Sequence, residues 1–437
     1  MVKIIRAVPV WAGMLLAVPL LAGCGGGGGS AAAVCPAPPA ACDAVSQNRY
    51  VHDLMKDFYF WADAAPVVDY AAYATPADVL AAMVYAPKDR WSYITSASTF
   101  TALFSRGKYI GYGLGVKQGS DGVWRLNIVY PGSAAAAAGL RRGYAVTGLN
   151  GVPVAQIAAQ NLWTQQFGAD AAGVQMDIGY TDASGAAGNV TLTKGEVTVP
   201  PVYDARVLHY GGVSIGYLAF TSFNETTPAA VDAAFAVFQN AGIRELVVDL
   251  RYNGGGLMDA SACIAGRVAD YRAAGGVFAR LRHNAAHRGL DRLLRFTGTG
   301  PAASGGRVVV IATGATASAS ESFINGLKPF MDVAVIGSKT HGKPAGMYGC
   351  SFCGNVISAV AFELENAHAE GGYYNGIPAT CAADDGLTVP LGDPAEPSLK
   401  AALYYAANGK CLATAQKPGV AAASAPLTGI HREAGAL

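Results

Sequence analysis

The chain has 437 residues, with 31 basic against 30 acidic side chains for a formal net charge of +1, and eight cysteines. That length suits about two to three domains and leaves ample chain for a sizeable core. So even a charge balance removes any electrostatic reason to expect nucleic acid as a partner.

The first residues combine two cations, Lys3 and Arg6, with an apolar run from Ala7 to Ala22 that Pro9, Gly13 and Pro19 interrupt. Too short and too broken for a stable membrane span, it reads as a signal peptide over residues 1–23. Leu21-Ala22-Gly23-Cys24 resembles the lipobox of bacterial lipoproteins, in which a cysteine after small residues is acylated and becomes the new N-terminus. That resemblance implies lipidation of Cys24 and a chain anchored to a membrane rather than threaded through it, since no later apolar run has spanning length. Gly25 replaces the aspartate associated with inner-membrane retention, so in a cell with two membranes the expected location is the outer one, facing the periplasm. Residues 24–45, opening with Gly25 to Gly29, form a flexible tether.

With Cys24 given to the lipid, the remaining cysteines are odd in number, and export favours disulfides with one thiol left over. Cys263, in an apolar helical stretch, is the expected free thiol, and Cys35 and Cys42 bracket a Pro/Ala loop that suggests a local staple. Cys350-Ser-Phe-Cys353 with Cys381 and Cys411 suits oxidation better than zinc, because the last two lack the paired spacing of a zinc motif.

Residues 46–105 carry apolar side chains at helical spacing, as in Val51, Leu54, Met55, Phe58 and Trp61, and read as a small helical region. Residues 106–198 turn to short β-prone runs punctuated by glycine, with one Ala-rich helical stretch. From 199 to 412 strands and helices alternate: strands over 213–223, 245–251, 307–313 and 333–337, helices over 228–240, 257–273 and 318–330. This alternation implies βαβ units and a mostly parallel sheet covered by helices. The Ala/Pro/Ser-rich segment 413–437 reads as a disordered tail.

In open α/β sheets, ligands bind beyond the C-terminal ends of the strands. Two loops fit that place. Asp249-Leu250-Arg251-Tyr252-Asn253-Gly254-Gly255-Gly256 follows an apolar strand, and its glycines let backbone N–H groups approach a developing negative charge. It serves equally as a tight turn with Asp249 and Arg251 paired, and it lacks the Lys-Ser/Thr of a P-loop. Thr313-Gly314-Ala315-Thr316-Ala317-Ser318-Ala319-Ser320-Glu321 follows the next strand and presents a hydroxyl at a helix N-terminus, though Ser318 and Glu321 alone also describe a capping box.

Taken in order, Asp-Leu-Arg-x-Asn-Gly-Gly-Gly, Ser318-Ala-Ser-Glu321 and Thr340-His341-Gly342-Lys343 resemble the C-terminal-processing (tail-specific) serine peptidases, and Asp89-Arg90-Trp91-Ser92-Tyr93-Ile94 is similar to the Asp-Arg-Phe-Ser-Tyr segment of that family. The likeness covers most of residues 46–412. It implies a ClpP/crotonase-like α/β core, Ser318 as nucleophile and Lys343, twenty-five residues on, as general base. It also implies an oxyanion hole from the N–H groups of Gly256 and Ala319, polypeptide substrates, and neither cofactor nor metal. A lysine takes a proton only when neutral, and burial disfavours its ammonium form, so Lys343 is expected in an apolar pocket without a tight carboxylate partner. His341 replaces the usual Phe, and Met347 replaces a glutamine that orients the lysine in many members, so that either Glu321 or another polar group holds Lys343, or activity is low. A Ser-His pair through His341 is the less fitting arrangement, and His209, His283, His287 and His368 read as surface residues.

Gly113-Leu114-Gly115-Val116 resembles the carboxylate-binding loop of PDZ domains, and the segment from Pro131 to Gly143 with Leu149-Asn150-Gly151 resembles their helix-turn-strand unit, with Tyr144 in place of the customary Asp. This implies a PDZ-like peptide-binding domain over 106–198. The expected function is a cell-envelope serine endopeptidase acting near C-termini or in unstructured segments. The rival reading is an inactive lipoprotein that binds peptides or scaffolds a partner. A weaker third is a hydrolase or lyase acting on thioesters.

Overall fold

The computed structural model describes residues 34–298 and 305–413. The expected signal peptide, Cys24, the glycine run of the tether and the tail beyond 413 lie outside the described residues. Six strands build the sheet that carries the site, in the order Val202–Tyr210, Val213–Phe220, Glu245–Asp249, Arg307–Ala312, Asp332–Gly337 and Cys381–Ala382. The first pair is antiparallel and the other four pairings are parallel. Period-two geometry sends Leu246, Val248, Val308 and Val310 to one face, beneath helices Thr227–Asn240, Met258–Ala269 and Ala319–Leu327. Val247, Val309 and Ile311 point to the other face, beneath helix Pro397–Asn408. Covered on both sides, these strands are apolar throughout instead of alternating.

The protein is a mixed α/β structure, and a mostly parallel sheet describes only part of it. A second, antiparallel sheet joins the hairpin Ala345–Phe352/Asn355–Glu365 to Tyr93–Ser96, Val277–His283 and Arg292–Arg295. Its hairpin turns at Cys353 and Gly354, both at positive φ (45° and 80°), the left-handed pair that matches strand twist in a tight hairpin. Helix Ala44–Asp57 packs Val51, Leu54 and Met55 onto Ile357, Ala359 and Val360 of this sheet.

Disulfides tie the first described residues to that hairpin. Cys35 pairs with Cys350 and Cys42 with Cys353, at Cα–Cα separations of 5.4 and 5.5 Å, which corrects the expected Cys35–Cys42 staple. The segment before the helix runs beside the hairpin, so each cysteine meets its own partner within disulfide reach. Cys381–Cys411 pins the end of helix Pro397–Asn408 to the edge of the core sheet. Cys263 is also disulfide-bonded, so it is not the expected free thiol. The described residues contain no free cysteine and no group of side chains placed to hold a metal. None of their helices is long and apolar enough to cross a membrane.

Residues 114–193 form a separate antiparallel sheet around their own core of Leu114, Leu126, Leu149, Ile157, Trp163 and Ile178. The paired strands Lys108–Gly111 and Gly195–Thr198 link this module to the body. Tyr144 stacks on Tyr180 with ring centroids 5.6 Å apart.

Candidate active site

Ser318 lies where strand Arg307–Ala312 gives way to helix Ala319–Leu327, and its backbone (φ 57°, ψ −118°) occupies a region that side chains other than glycine avoid. Such strain persists only where the surroundings over-determine it. Here they do. Thr316 Oγ1 donates to the Leu250 carbonyl (2.8 Å), Ala317 N to the Asn253 carbonyl (3.2 Å) and Ser320 Oγ to the same carbonyl (2.9 Å), stitching the serine loop to the glycine loop. A Cβ on Gly255 would stand 2.8 Å from Ser318 Cβ, and one on Gly256 would stand 2.0 Å from the Phe223 carbonyl oxygen. Only glycine lets the main chain pass this close. Gly255 N is taken by Asn253 Oδ1 (2.9 Å), whereas Gly256 N and Ala319 N donate to no acceptor among the described residues.

Glu321, fully buried on the first turn of the same helix, binds the two functional loops together. Its Oε2 accepts from Ser318 N (3.0 Å) and Lys343 N (2.7 Å), and its Oε1 accepts from Gly342 N (2.7 Å) and Thr340 Oγ1 (2.5 Å). Since one oxygen serves both Ser318 N and Lys343 N, those nitrogens are no farther apart than the two bonds laid end to end. Burial pushes the Glu321 carboxyl up from its ordinary value, and the hydrogen bonds from Thr340, Lys343, Gly342 and Ser318 pull against this without reversing it. Lys343 is buried (2% exposed), as is Ser318 (8%). The carboxylate that caps the helix therefore also accepts from the loop that carries Lys343.

Further anchors hold the Lys343 loop. Ile377 N donates to Thr340 Oγ1 (2.7 Å), and Thr340 N to the Ile377 carbonyl (3.1 Å). Met347 sits on strand Ala345–Phe352 opposite Val360 and packs with the aromatic cluster around Tyr93, where a glutamine's orienting bond has no counterpart. His341 N donates to the Thr316 carbonyl (2.9 Å), and its ring lies between Trp91 and Gly314.

Sequence reasoning missed a second cluster, at the contact between body and module. The Asp385 carboxylate, its side chain 10% exposed, lies among Lys117 and Arg142 of the module and Arg251 of the glycine loop. Arg142 Nη2 and Arg251 Nη1 reach Asp385 Oδ1 at 3.4 and 3.2 Å, and Tyr252 OH donates to the same oxygen at 2.7 Å. Lys117 Nζ meets the other oxygen. Burial alone would raise the Asp385 carboxyl, but Lys117, Arg142 and Arg251 together hold it well below the ordinary aspartate range. Arg251 also pairs with Asp249 (2.9 Å) and Glu396 (2.8 Å), so the structural pairing left open for that loop is present. Only the Asp249–Arg251 spacing could have signalled this; nothing near Asp384-Asp385-Gly386 marks a partner more than two hundred residues upstream.

Gly113, Leu114, Gly115 and Val116 lie in the inserted module, apart from Ser318. Among the described residues, strand Leu114–Gln118 pairs only with Trp124–Val129, and Gly113 (φ 80°) packs on Ser133, where a Cβ would stand 2.1 Å from the serine's own. His283 is not on the surface. It is 6% exposed, with Nδ1 3.2 Å from Asp291 Oδ1 and Nε2 2.9 Å from Tyr348 OH, because its strand turns that side chain inward onto Tyr348 and Phe362.

Residues 214–367 match peptidase family S41 and residues 46–93 match the peptidase S41 N-terminal domain. Over 222 residues the chain is 28% identical to the chloroplastic C-terminal processing peptidase of Tetradesmus obliquus, which covers 49% of this chain and 46% of that one. The carboxyl-terminal-processing protease of a Picosynechococcus species is 24% identical over 238 residues, covering 54% and 55%. The matches thus span about half the length of these curated relatives. A protein assigned to the S41 proteases from Bacteroides fragilis superposes with a TM-score of 0.64 at 22% identity, covering 86% of this chain and 100% of that one. For the photosystem II D1 C-terminal processing protease the values are 0.51, 20%, 82% and 100%. At such identities the likeness is one of fold.

Proposed function

The chain belongs to peptidase family S41, and on that premise we propose that it is a serine endopeptidase in which Ser318 attacks the scissile carbonyl and Lys343 takes its proton. One observation carries the reading: a single Glu321 oxygen accepts from the main chain of both residues, at a strained helix start beside three glycines. The serine hydroxyl needs a neighbouring base, and the same base returns the proton to the leaving amine. As Ser318 Oγ adds to the carbonyl, the oxyanion falls to Gly256 N and Ala319 N, which donate to no acceptor among the described residues. Collapse expels the amine and leaves an acyl group on Ser318, which water then removes.

Other parts of the proposal rest on sequence resemblance as well. The module at 106–198 is read as a PDZ-like domain whose loop at Gly113, Leu114, Gly115 and Val116 takes a peptide terminus, a reading supported by the place of strand Leu114–Gln118 at the end of its sheet, with residues 114–117 buried in this structure. Residues 199–412 are read as a ClpP/crotonase-like core. Substrates are exported polypeptides, cut near C-termini or in unstructured segments. By the lipobox likeness, acylation of Cys24 would hold the protein at the outer membrane, facing the periplasm; it requires a Cys24 sulfur outside any disulfide, and so a partner other than Cys24 for the disulfide-bonded Cys263. Hydrolysis of an unfolded protein by the purified full chain tests the core of the reading. Ser318→Ala and Lys343→Ala should each abolish it, and turnover equal to wild type in either variant contradicts the assignment.

A further inference from the structure

Two departures from the family pattern meet in space. Trp91 and His341 each stand where the motifs they resemble carry Phe, and they are 250 residues apart in sequence. In the fold, Trp91 Nε1 lies 3.3 Å from His341 Nε2, and His341 Nδ1 lies 3.3 Å from the Gly314 carbonyl oxygen. Indole N–H can only donate and a carbonyl can only accept, so His341 Nε2 is the acceptor and Nδ1 carries the proton. Both ring nitrogens are thus engaged, which excludes the ring as the base for Ser318 in this arrangement.

Trp91 is held from behind. The buried Asp89 carboxylate accepts from Trp91 N (2.9 Å), Ser92 N (3.1 Å), Ser92 Oγ (2.6 Å) and Tyr59 OH (2.8 Å), fixing the turn that presents the indole. On that same turn, Arg90 Nη2 donates to the His341 carbonyl (3.2 Å), and His341 N donates to the Thr316 carbonyl (2.9 Å). His341 therefore joins three segments: the 89–92 turn, the loop leading to Ser318, and its own loop leading to Lys343.

We infer that Trp91 and His341 form a positioning pair that sets the Lys343 loop against the Ser318 loop. The pair supplies a polar restraint on a base loop whose downstream position 347 is apolar in this chain. This rests on the reading of Ser318 and Lys343 as nucleophile and base. Neither ring of the pair touches the reacting atoms in this role; both act through the loops they hold.

The test combines spectroscopy and kinetics on the full chain. In the Ser318→Ala protein labelled with ¹⁵N in histidine rings, the His341 signal, assigned by its loss in His341→Gln, should report the Nδ1–H tautomer. Trp91→Phe should then release it to a mixture of tautomers. Kinetically, Trp91→Phe and His341→Phe should each lower kcat about fivefold, the worth of one net hydrogen bond. KM should stay within about twofold and the double variant should be no slower than the slower single one, as expected for a coupled pair. A Nε2–H tautomer, a tautomer indifferent to Trp91→Phe, or losses that multiply in the double variant would overturn the pairing. An inactive wild type would instead strike the peptidase reading, and the ring spectrum would still decide the pair.

Discussion

Glu321 and Asp385 are both carboxylates near the same glycine loop, yet one is surrounded by uncharged donors and the other by three cations. Four neutral N–H and O–H groups fix the Glu321 oxygens in direction, and so fix where the Ser318 and Lys343 main chains lie. Three cations satisfy Asp385 through charge, and they come from two parts of the molecule. The first carboxylate sets local geometry, whereas the second joins the inserted module to the body. Their titration reflects the same division, with Glu321 raised by burial and Asp385 held low by Lys117, Arg142 and Arg251.

Breaking the geometric carboxylate should have the largest effect on catalysis. Glu321→Gln keeps the size but turns an NH₂ donor onto groups that are donors themselves, so the two loops must separate. Misplacement on the scale of an ångström can cost about 100-fold, and that loss in kcat on an unfolded protein substrate is the expected result. Asp385→Asn should act mainly on stability. Removing one partner from a buried charge cluster costs about 3 kcal/mol, measurable by urea unfolding at pH 7.

Acid sharpens the comparison. Asp385 is depressed in the folded state, so its contribution is present above its ordinary value of 3.8 and is lost as pH falls below it. Wild type should lose stability over that range, and Asp385→Asn should lose less. Glu321 is shifted the other way, so its contribution is present at low pH and lost as pH rises through the raised value. Glu321→Gln should accordingly leave the acid loss in place. The smallest effect belongs to a partly exposed pair: Arg307→Ala, which breaks the 2.8 Å contact with Asp332, should change stability by less than about 1 kcal/mol.

What could be read in advance follows the same line between local and distant. The apolar strands at 245–249 and 307–312 and the helices after them declared themselves by composition and period, and the loops that carry Ser318 and Lys343 by motif. The hairpin at 345–365 did not, because its strands are buried on a sheet completed by Tyr93–Ser96 and Val277–His283, far away in the chain. The cysteines followed distance in space, so Cys35 and Cys42 found Cys350 and Cys353 and not each other. Glu321 was visible as a cap, but its hold on Gly342 and Lys343 needed the fold. Asp385 and the Trp91–His341 contact were invisible for the same reason: each joins residues whose neighbours in sequence carry no shared pattern.

Covalent trapping tests the central claim most directly. The full chain treated with a serine-reactive acylating or phosphonylating inhibitor and digested for mass spectrometry should carry the adduct on Ser318, and Lys343→Ala should abolish labelling. An adduct on another residue, or proteolysis that continues with Ser318 unmodified, would contradict the account.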